Sequence, residues 1–438
     1  MRQRDERVFA LTGATGFLGS HLMDALVRKG RSLVILGRRR EGMSLADRVD
    51  ALLAWFDVKG RGALVETVEV DLLEPRLGLE RHQYDALCGK VSEIIHCASD
   101  TRFSERSRRE ATETNVHALP GIIRLAKDSA ARYFHYVSTA YVSGPGPAPE
   151  APILSRTFSN VYEETKAEAE RQVAARCSLQ ATPFTIVRPS IVYGDSVTGR
   201  SNRFNALYYH VRALQLIRDI YLNDIREHGG RKSREIDVHL DPEGILHLPL
   251  RIFLARRGHV NLIPVDYFVA VMLSVLESPR SGRIYHITSD APRTTGDLAA
   301  YCERFLRIRG IETVYGEGQN GGVQNPPEEI FNKLVRPYLP YLSDTRSFDR
   351  TNTKSLAAGL SAPDLTYDVF ERCMRYAVGA DWGNGNGNGK RDAGVSRASG
   401  RRESEKEEIE NGSVDRSSIG RNHSYENRGA EEGMRRHR

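Results

Sequence analysis

The sequence predicts an α/β protein built on a doubly wound parallel sheet. Two observations carry that prediction. Strand candidates recur at residues 8–11, 33–36, 65–70, 93–96, 134–138, 184–187 and 285–287, with helical patterns between most of them. A glycine-rich turn joins the first run to the first helical stretch, and no internal repeat interrupts the alternation.

The elements follow in order. Val8-Phe9-Ala10-Leu11 is continuously apolar, as a strand buried on both faces must be. From about Phe17 to Arg28 the chain is amphipathic, with Leu18, Leu22, Met23 and Leu26 on one face and Gly30 ending it. Leu33-Val34-Ile35-Leu36 is the second strand. A helix begins near Asn205 and runs through Leu222, followed by a basic loop at Arg231-Lys232-Ser233-Arg234. After about Thr294 the chain reads as mostly helical, broken at Pro326-Pro327, Pro337 and Pro340. We therefore expect a Rossmann-like domain over 1–293, with an insert at 199–259, and a small helical domain over 294–382. From 383 the chain is rich in Gly, Asn, Ser, Arg and Glu with almost no large apolar residue, so 383–438 is expected to be a disordered tail.

The 438 residues are 40% hydrophobic and 27% charged, which excludes a wholly disordered chain. Five scattered cysteines without a CxxC pair argue against a disulfide framework or a zinc ribbon. His210, His239 and His247 have no metal-ligand spacing, so no metal site is expected. The start, MRQRDERVFALTGATG, lacks the apolar core of a signal peptide, and a cytoplasmic location is expected. The net charge of +6 divides into +2 over 383–438 and +4 over the rest. No basic stripe interleaved with aromatics appears, so nucleic acid is not the expected partner.

Thr12-Gly13-Ala14-Thr15-Gly16-Phe17-Leu18-Gly19 has the strand–turn–helix setting of a dinucleotide loop. Gly13 permits the turn, Gly16 lets backbone approach a pyrophosphate, and Gly19 lets helix and strand pack closely. The second strand ends in Gly37-Arg38-Arg39-Arg40 rather than in an acid. A 2′-phosphate suits guanidinium, so NADP(H) is favoured, with Arg38 first and Arg39 or Arg40 helping. Asp71, in Val70-Asp71-Leu72, follows a strand and is a candidate for the adenine amine.

Tyr162 and Lys166 are four apart, on one face of a helix. An ammonium near a phenol favours phenolate, the shift a tyrosine needs for proton exchange. Upstream, Tyr136-Val137-Ser138-Thr139-Ala140 is a strand whose end offers hydroxyls.

In this order and spacing, the TGxxGxxG loop, Ser138-Thr139-Ala140, the YxxxK pair and Arg188-Pro189-Ser190 resemble the extended short-chain dehydrogenase/reductase family. The resemblance covers most of 7–290. It implies Thr139, Tyr162 and Lys166 as catalytic residues, with Lys166 also holding the cofactor ribose. The backbone around Pro189 to Ile191 would meet the nicotinamide amide. His96-Cys97-Ala98-Ser99 falls where the family's cofactor-side loop lies, Ala98 included. Asn115 lies where a structural or relay asparagine often stands, and reads equally as an ordinary helix residue. Tyr141 is a competing phenol with no lysine four residues on.

Three segments look most like the thioester reductase and fatty acyl-CoA reductase branch, the male-sterility type: 138–142, 186–192 and Asn261-Leu262-Ile263-Pro264-Val265-Asp266-Tyr267. In the last, Asp266 is expected to cap the following helix. Phe348 to Lys354, Leu356, Tyr367 to Phe370 and Trp382 resemble more loosely that branch's small C-terminal domain. The resemblance implies NADPH-dependent reduction of a fatty acyl-CoA or carrier-bound acyl thioester to aldehyde or alcohol. Acyl-CoA or an acyl carrier protein would be the partner, and peripheral membrane contact is compatible with it. The alternative is an extended epimerase or dehydrogenase acting on a nucleotide sugar or a hydroxy/keto lipid.

Overall fold

The computed structural model describes residues 7–40, 42–58, 60, 64–153, 157–316 and 324–383. The tail expected over 383–438 lies outside the described residues beyond Gly383.

Seven strands form one parallel sheet, and each matches a predicted run: β1 (Val8–Thr12), β2 (Ser32–Gly37), β3 (Val65–Glu69), β4 (Glu93–His96), β5 (Tyr133–Val137), β6 (Phe184–Pro189) and a last strand Arg283–Ile287. Their order across the sheet is Arg283–Ile287, β6, β5, β4, β1, β2, β3, and every neighbouring pair is parallel. The chain winds outward from β1 to β3 and then reverses to β4, so a crevice opens at the carboxyl ends of β1 and β4.

Five helices connect these strands: α1 (Phe17–Arg28), α2 (Leu45–Trp55), α3 (Arg81–Lys90), α4 (Leu119–Asp128) and α5 (Val161–Leu179). Ser44 and Asp47 start α2 with a capping box. Asn160 caps α5 through Glu163 N. Cores lie on both faces of the sheet. Leu22, Met23, Leu26 and Val27 of α1 are buried against one, and Ile122, Ile123, Leu125 and Ala126 of α4 against the other.

Past β6 the chain builds a second core. Its elements are β7 (Ile191–Tyr193), α6 (Leu207–Glu227), β8 (Leu246–Leu254), β9 (Leu262–Pro264), α7 (Val265–Glu277), β10 (the Arg283–Ile287 strand), α8 (Thr295–Leu306), β11 (Ile308–Tyr315), α9 (Pro326–Val335) and α10 (Tyr367–Gly379). α7 and β10 return to the main sheet, while residues from α6, β8, α8, α9 and α10 share one apolar cluster. β11 is a strand in a stretch the sequence reads as helical. It pairs in parallel with β8, so the C-terminal region supplies a strand that completes the sheet of the insert.

Two further details differ from the sequence reading. Pro264 holds the N-cap position of α7, and Asp266 lies inside the first turn. Its carboxylate accepts from Ser196 N at 2.8 Å and from Ser196 Oγ at 2.7 Å, so it pins the loop after β7 instead of capping. The 347–354 segment packs back on the main sheet: Arg350 donates to Tyr267 Oη at 2.5 Å, and Asn352 Nδ2 to Ile284 O at 3.0 Å. Among the described residues, no helix is long and apolar enough to cross a membrane.

Candidate active site

The glycine loop sits where β1 meets α1, beside the end of β4. Gly13 has φ +74°, and a Cβ there would stand 2.5 Å from Ala98 N and 2.6 Å from Cys97 C. The loop can therefore lie against the β4 loop only with glycine at 13. A Cβ at Gly19 would fall 2.2 Å from Gly13 O, so the first turn of α1 rests on the loop itself. Gly16 is the N-cap of α1, with no side chain bonded to its amides. Thr15, Phe17 and Leu18 complete an open helix N-terminus, the donor set that a pyrophosphate takes. Ala98 N is held by the Thr12 hydroxyl at 3.3 Å, and the same hydroxyl meets His96 Nδ1 at 2.9 Å. These residues fit a dinucleotide.

At the end of β2, Arg38 is exposed. Arg39 turns to Glu69, 3.5 Å away. The backbone of Arg40 pairs with that of Met43 in a small bridge. A further cation stands at this corner that the sequence reading did not single out. Arg48, on α2, donates to the Thr15 hydroxyl at 2.6 Å and to Arg38 O at 3.1 Å. Asp71 is exposed beyond β3, with Leu72 beside it, and its Oδ1 accepts from Leu73 N at 3.0 Å.

Thr139, Tyr162 and Lys166 come together where β5 and α5 face each other. Thr139 is buried at the end of β5, within reach of the Tyr162 phenol. It also donates to Pro189 O at 3.5 Å and accepts from Tyr141 N at 3.4 Å. Burial raises the Tyr162 phenol above its ordinary range, and the Thr139 hydrogen bond opposes that. Lys166 donates to Val137 O at 2.7 Å, with its ammonium 4.2 Å from the centre of the Tyr136 ring. Burial brings it down to about 8. Cys97, next to Ala98, is pushed up to about 11 by burial and is a poor nucleophile.

Ile191 N donates to Asn261 O at 3.3 Å, which joins β7 to the segment before β9. The competing phenol, Tyr141, is buried. Its hydroxyl meets Asn261 O at 3.5 Å, and the Arg346 guanidinium lies 4.6 Å from its ring centre.

Asn115 lies in a single π-helical turn, Glu113–His117, of the kind that recurs at functional sites. Its Oδ1 accepts from Asp100 N at 2.7 Å and Ser99 Oγ at 3.0 Å. Its Nδ2 donates to Asp100 O at 2.9 Å and Thr165 Oγ1 at 3.0 Å. All of its hydrogen-bonding capacity is used. It ties the loop after β4 to the turn of α5 that carries Tyr162 and Lys166, so it is a positioning residue.

An apolar pocket adjoins this centre. Ile191, Val211, Leu214, Ile252, Leu298 and Phe331 are among its walls, and Tyr338 and Tyr341 close one side. Phe103 packs on both tyrosines, at 5.2 and 5.5 Å between ring centres, and on Tyr162 at 6.0 Å. The sequence had marked 199–259 as an insert, but not Phe103 or the two tyrosines.

The model of the family described as "Male sterility protein" matches residues 11–272. Over 419 residues the chain is 24% identical to the nonribosomal peptide synthetase asaC of Aspergillus flavus, covering 86% of this chain and 37% of that protein. Over 143 residues it is 34% identical to fatty acyl-CoA reductase 1 of Rattus norvegicus, covering 30% of this chain and 27% of the reductase. It thus spans well under two thirds of these relatives. The terminal R domain of the myxalamid PKS-NRPS biosynthetic pathway has the same fold, with a TM-score of 0.68, 21% identity, and coverage of 87% of this chain and 92% of that one. With a matching family model over more than half its length, the chain belongs to the male sterility protein family, the thioester reductase and fatty acyl-CoA reductase branch of the extended short-chain dehydrogenases/reductases, which are nicotinamide-dependent oxidoreductases.

Proposed function

We propose that this chain reduces an acyl thioester with NADPH. The observation that carries the reading is the apolar pocket next to the catalytic centre, lined by Tyr338 and Tyr341, on which Phe103 packs as it packs on Tyr162. An acyl chain gains from such a wall roughly in proportion to the apolar surface it buries. A nucleotide sugar would leave its hydroxyls and phosphates unpaired there.

Arg38 and Arg48 are the residues to hold a 2′-phosphate, and Gly13, Thr15, Gly16, Phe17, Leu18 and Gly19 the pyrophosphate. Asp71 and Leu72 border the adenine side, while Ala98, Pro189 and Ile191 border the nicotinamide side. When bound, the cofactor supplies hydride to the thioester carbonyl carbon. Thr139 and Tyr162 hydrogen-bond the carbonyl oxygen and so stabilise the charge that develops there. Tyr162, kept protonated by burial, donates its proton to that oxygen. Lys166 holds the cofactor ribose with its ammonium and keeps a positive charge near the phenol. The hemithioacetal then expels the thiol and leaves the aldehyde, and a second round would give the alcohol. We assign the carrier as CoA or an acyl carrier protein, with a cytoplasmic setting. In this reading 1–293 holds the cofactor, its 199–259 insert and 294–382 shape the acyl site, and 383–438 is a tail.

Cofactor oxidation followed with NADPH and NADH against acyl-CoAs, a ketone lipid and UDP-sugars tests the reading. NADPH consumption with an acyl-CoA is expected, falling by about 10²–10⁴ in kcat for Tyr162→Phe with NADPH binding retained. Turnover of the ketone or sugar alone, or an active Tyr162→Phe, would overturn it.

A further inference from the structure

The acyl pocket is mostly apolar, with one polar atom near it that has no partner. His210, on the first turn of α6, lines it. Its Nδ1 lies 3.0 Å from Ala206 O. A carbonyl oxygen only accepts, so Nδ1 carries the proton and Nε2 is left with a bare lone pair. That Nε2 atom is buried and has no hydrogen-bond partner. Burial also holds the imidazole neutral, bringing it down to about 4, so Nε2 stays an acceptor across the physiological range.

Two other polar groups of the wall are engaged. The Thr295 hydroxyl donates to Leu342 O at 2.6 Å, and the Tyr341 hydroxyl accepts from Asn160 Nδ2 at 2.8 Å. A water at Nε2 would find few partners in so apolar a wall, whereas buried waters usually make about three bonds. An unpaired acceptor in an apolar wall weakens the fold unless something the cavity takes in supplies a donor.

We infer that His210 Nε2 is a specificity-determining acceptor, and that the acyl group carries a hydrogen-bond donor, a hydroxyl or an amide N–H, on an otherwise apolar chain. The inference rests on the thioester reading for the reacting end of the substrate, while the donor is read from the cavity itself. Ring-to-ring steps of 6.0, 5.2 and 5.4 Å run from Tyr162 through Phe103 and Tyr338 to His210. The His210 ring centre thus lies at most about 17 Å from that of Tyr162, the span of roughly five extended residues.

The test uses non-reducible S-alkyl thioethers of N-acetylcysteamine, in pairs of equal length with and without one hydroxyl stepped along the chain. Their binding to the full chain is measured by calorimetry. A hydroxyl at the right position should tighten binding by about 5- to 50-fold. His210→Leu should erase that preference while binding the plain chain at least as well, and His210→Gln should restore part of it. His210→Phe gives the same comparison if the leucine variant does not fold. Equal binding of every pair by the unmodified chain, binding of neither member, or a preference that survives in both apolar variants would overturn the inference. Because these probes cannot be reduced, failure of the thioester reading appears separately, as absent NADPH consumption with acyl-CoA.

Discussion

The Arg48 guanidinium donates to the Thr15 hydroxyl at 2.6 Å, which joins α2 to the dinucleotide loop. With Arg38 O also within 3.1 Å, two arginines converge on the corner where a cofactor ribose would lie. Arg48→Ala should raise the KM for NADPH about tenfold, the loss of one charge-assisted hydrogen bond, and leave the KM for NADH nearly unchanged. Arg38→Ala should behave alike. Equal effects on both cofactors would show that Arg48 only props up the loop.

The buried Arg188 guanidinium meets the Glu170 carboxylate at 2.7 and 2.9 Å and also bonds Ala151 O at 3.0 Å. This pair clamps α5 to β6. Glu170→Gln or Arg188→Met should destabilise the fold by about 3–5 kcal/mol in urea denaturation, since each leaves one charge buried alone. Replacing both with apolar residues should recover much of the loss. A single variant as stable as the parent would contradict the clamp.

Lys166 sets an alkaline limit. Burial lowers its ammonium to about 8, so the charge is present below that pH and lost above it. The kcat/KM for NADPH, which reads the free enzyme, should fall about tenfold per pH unit above 8. In Lys166→Arg the limb should vanish or move out of range. A profile flat to pH 9.5 in the parent would remove Lys166 from cofactor binding.

Acid should unfold the protein through its histidines. Burial lowers His21, His210 and His286 to about 4 and His96 to about 3. In the unfolded chain each titrates near 6.5. Between about pH 6.5 and 4 the unfolded state binds more protons, so stability falls as pH falls through that window. The melting temperature should drop steadily from pH 7 to 5. An unchanged value would mean that these imidazoles are protonated in the folded state.

The sequence by itself determined the parallel sheet and the cofactor loop. The first two strands carry contiguous apolar runs and the others recur between helical stretches, and the spacing of Gly13, Gly16 and Gly19 is a local signal of turn and close approach. The four-residue separation of Tyr162 and Lys166 likewise holds on any helix. Only the tertiary structure decided the rest, because those contacts join residues far apart that carry no shared period. Arg48 reaches Thr15 from another helix. Asn115 was undecided until Thr165 and Asp100 stood around it. β11 looked like part of a helical region, since the β8 strand that pairs with it lies across α7, β10 and α8. His210 showed no partner pattern in sequence; its role as a lone acceptor appears once α6, α8 and α9 close an apolar wall around it, where water can no longer satisfy Nε2.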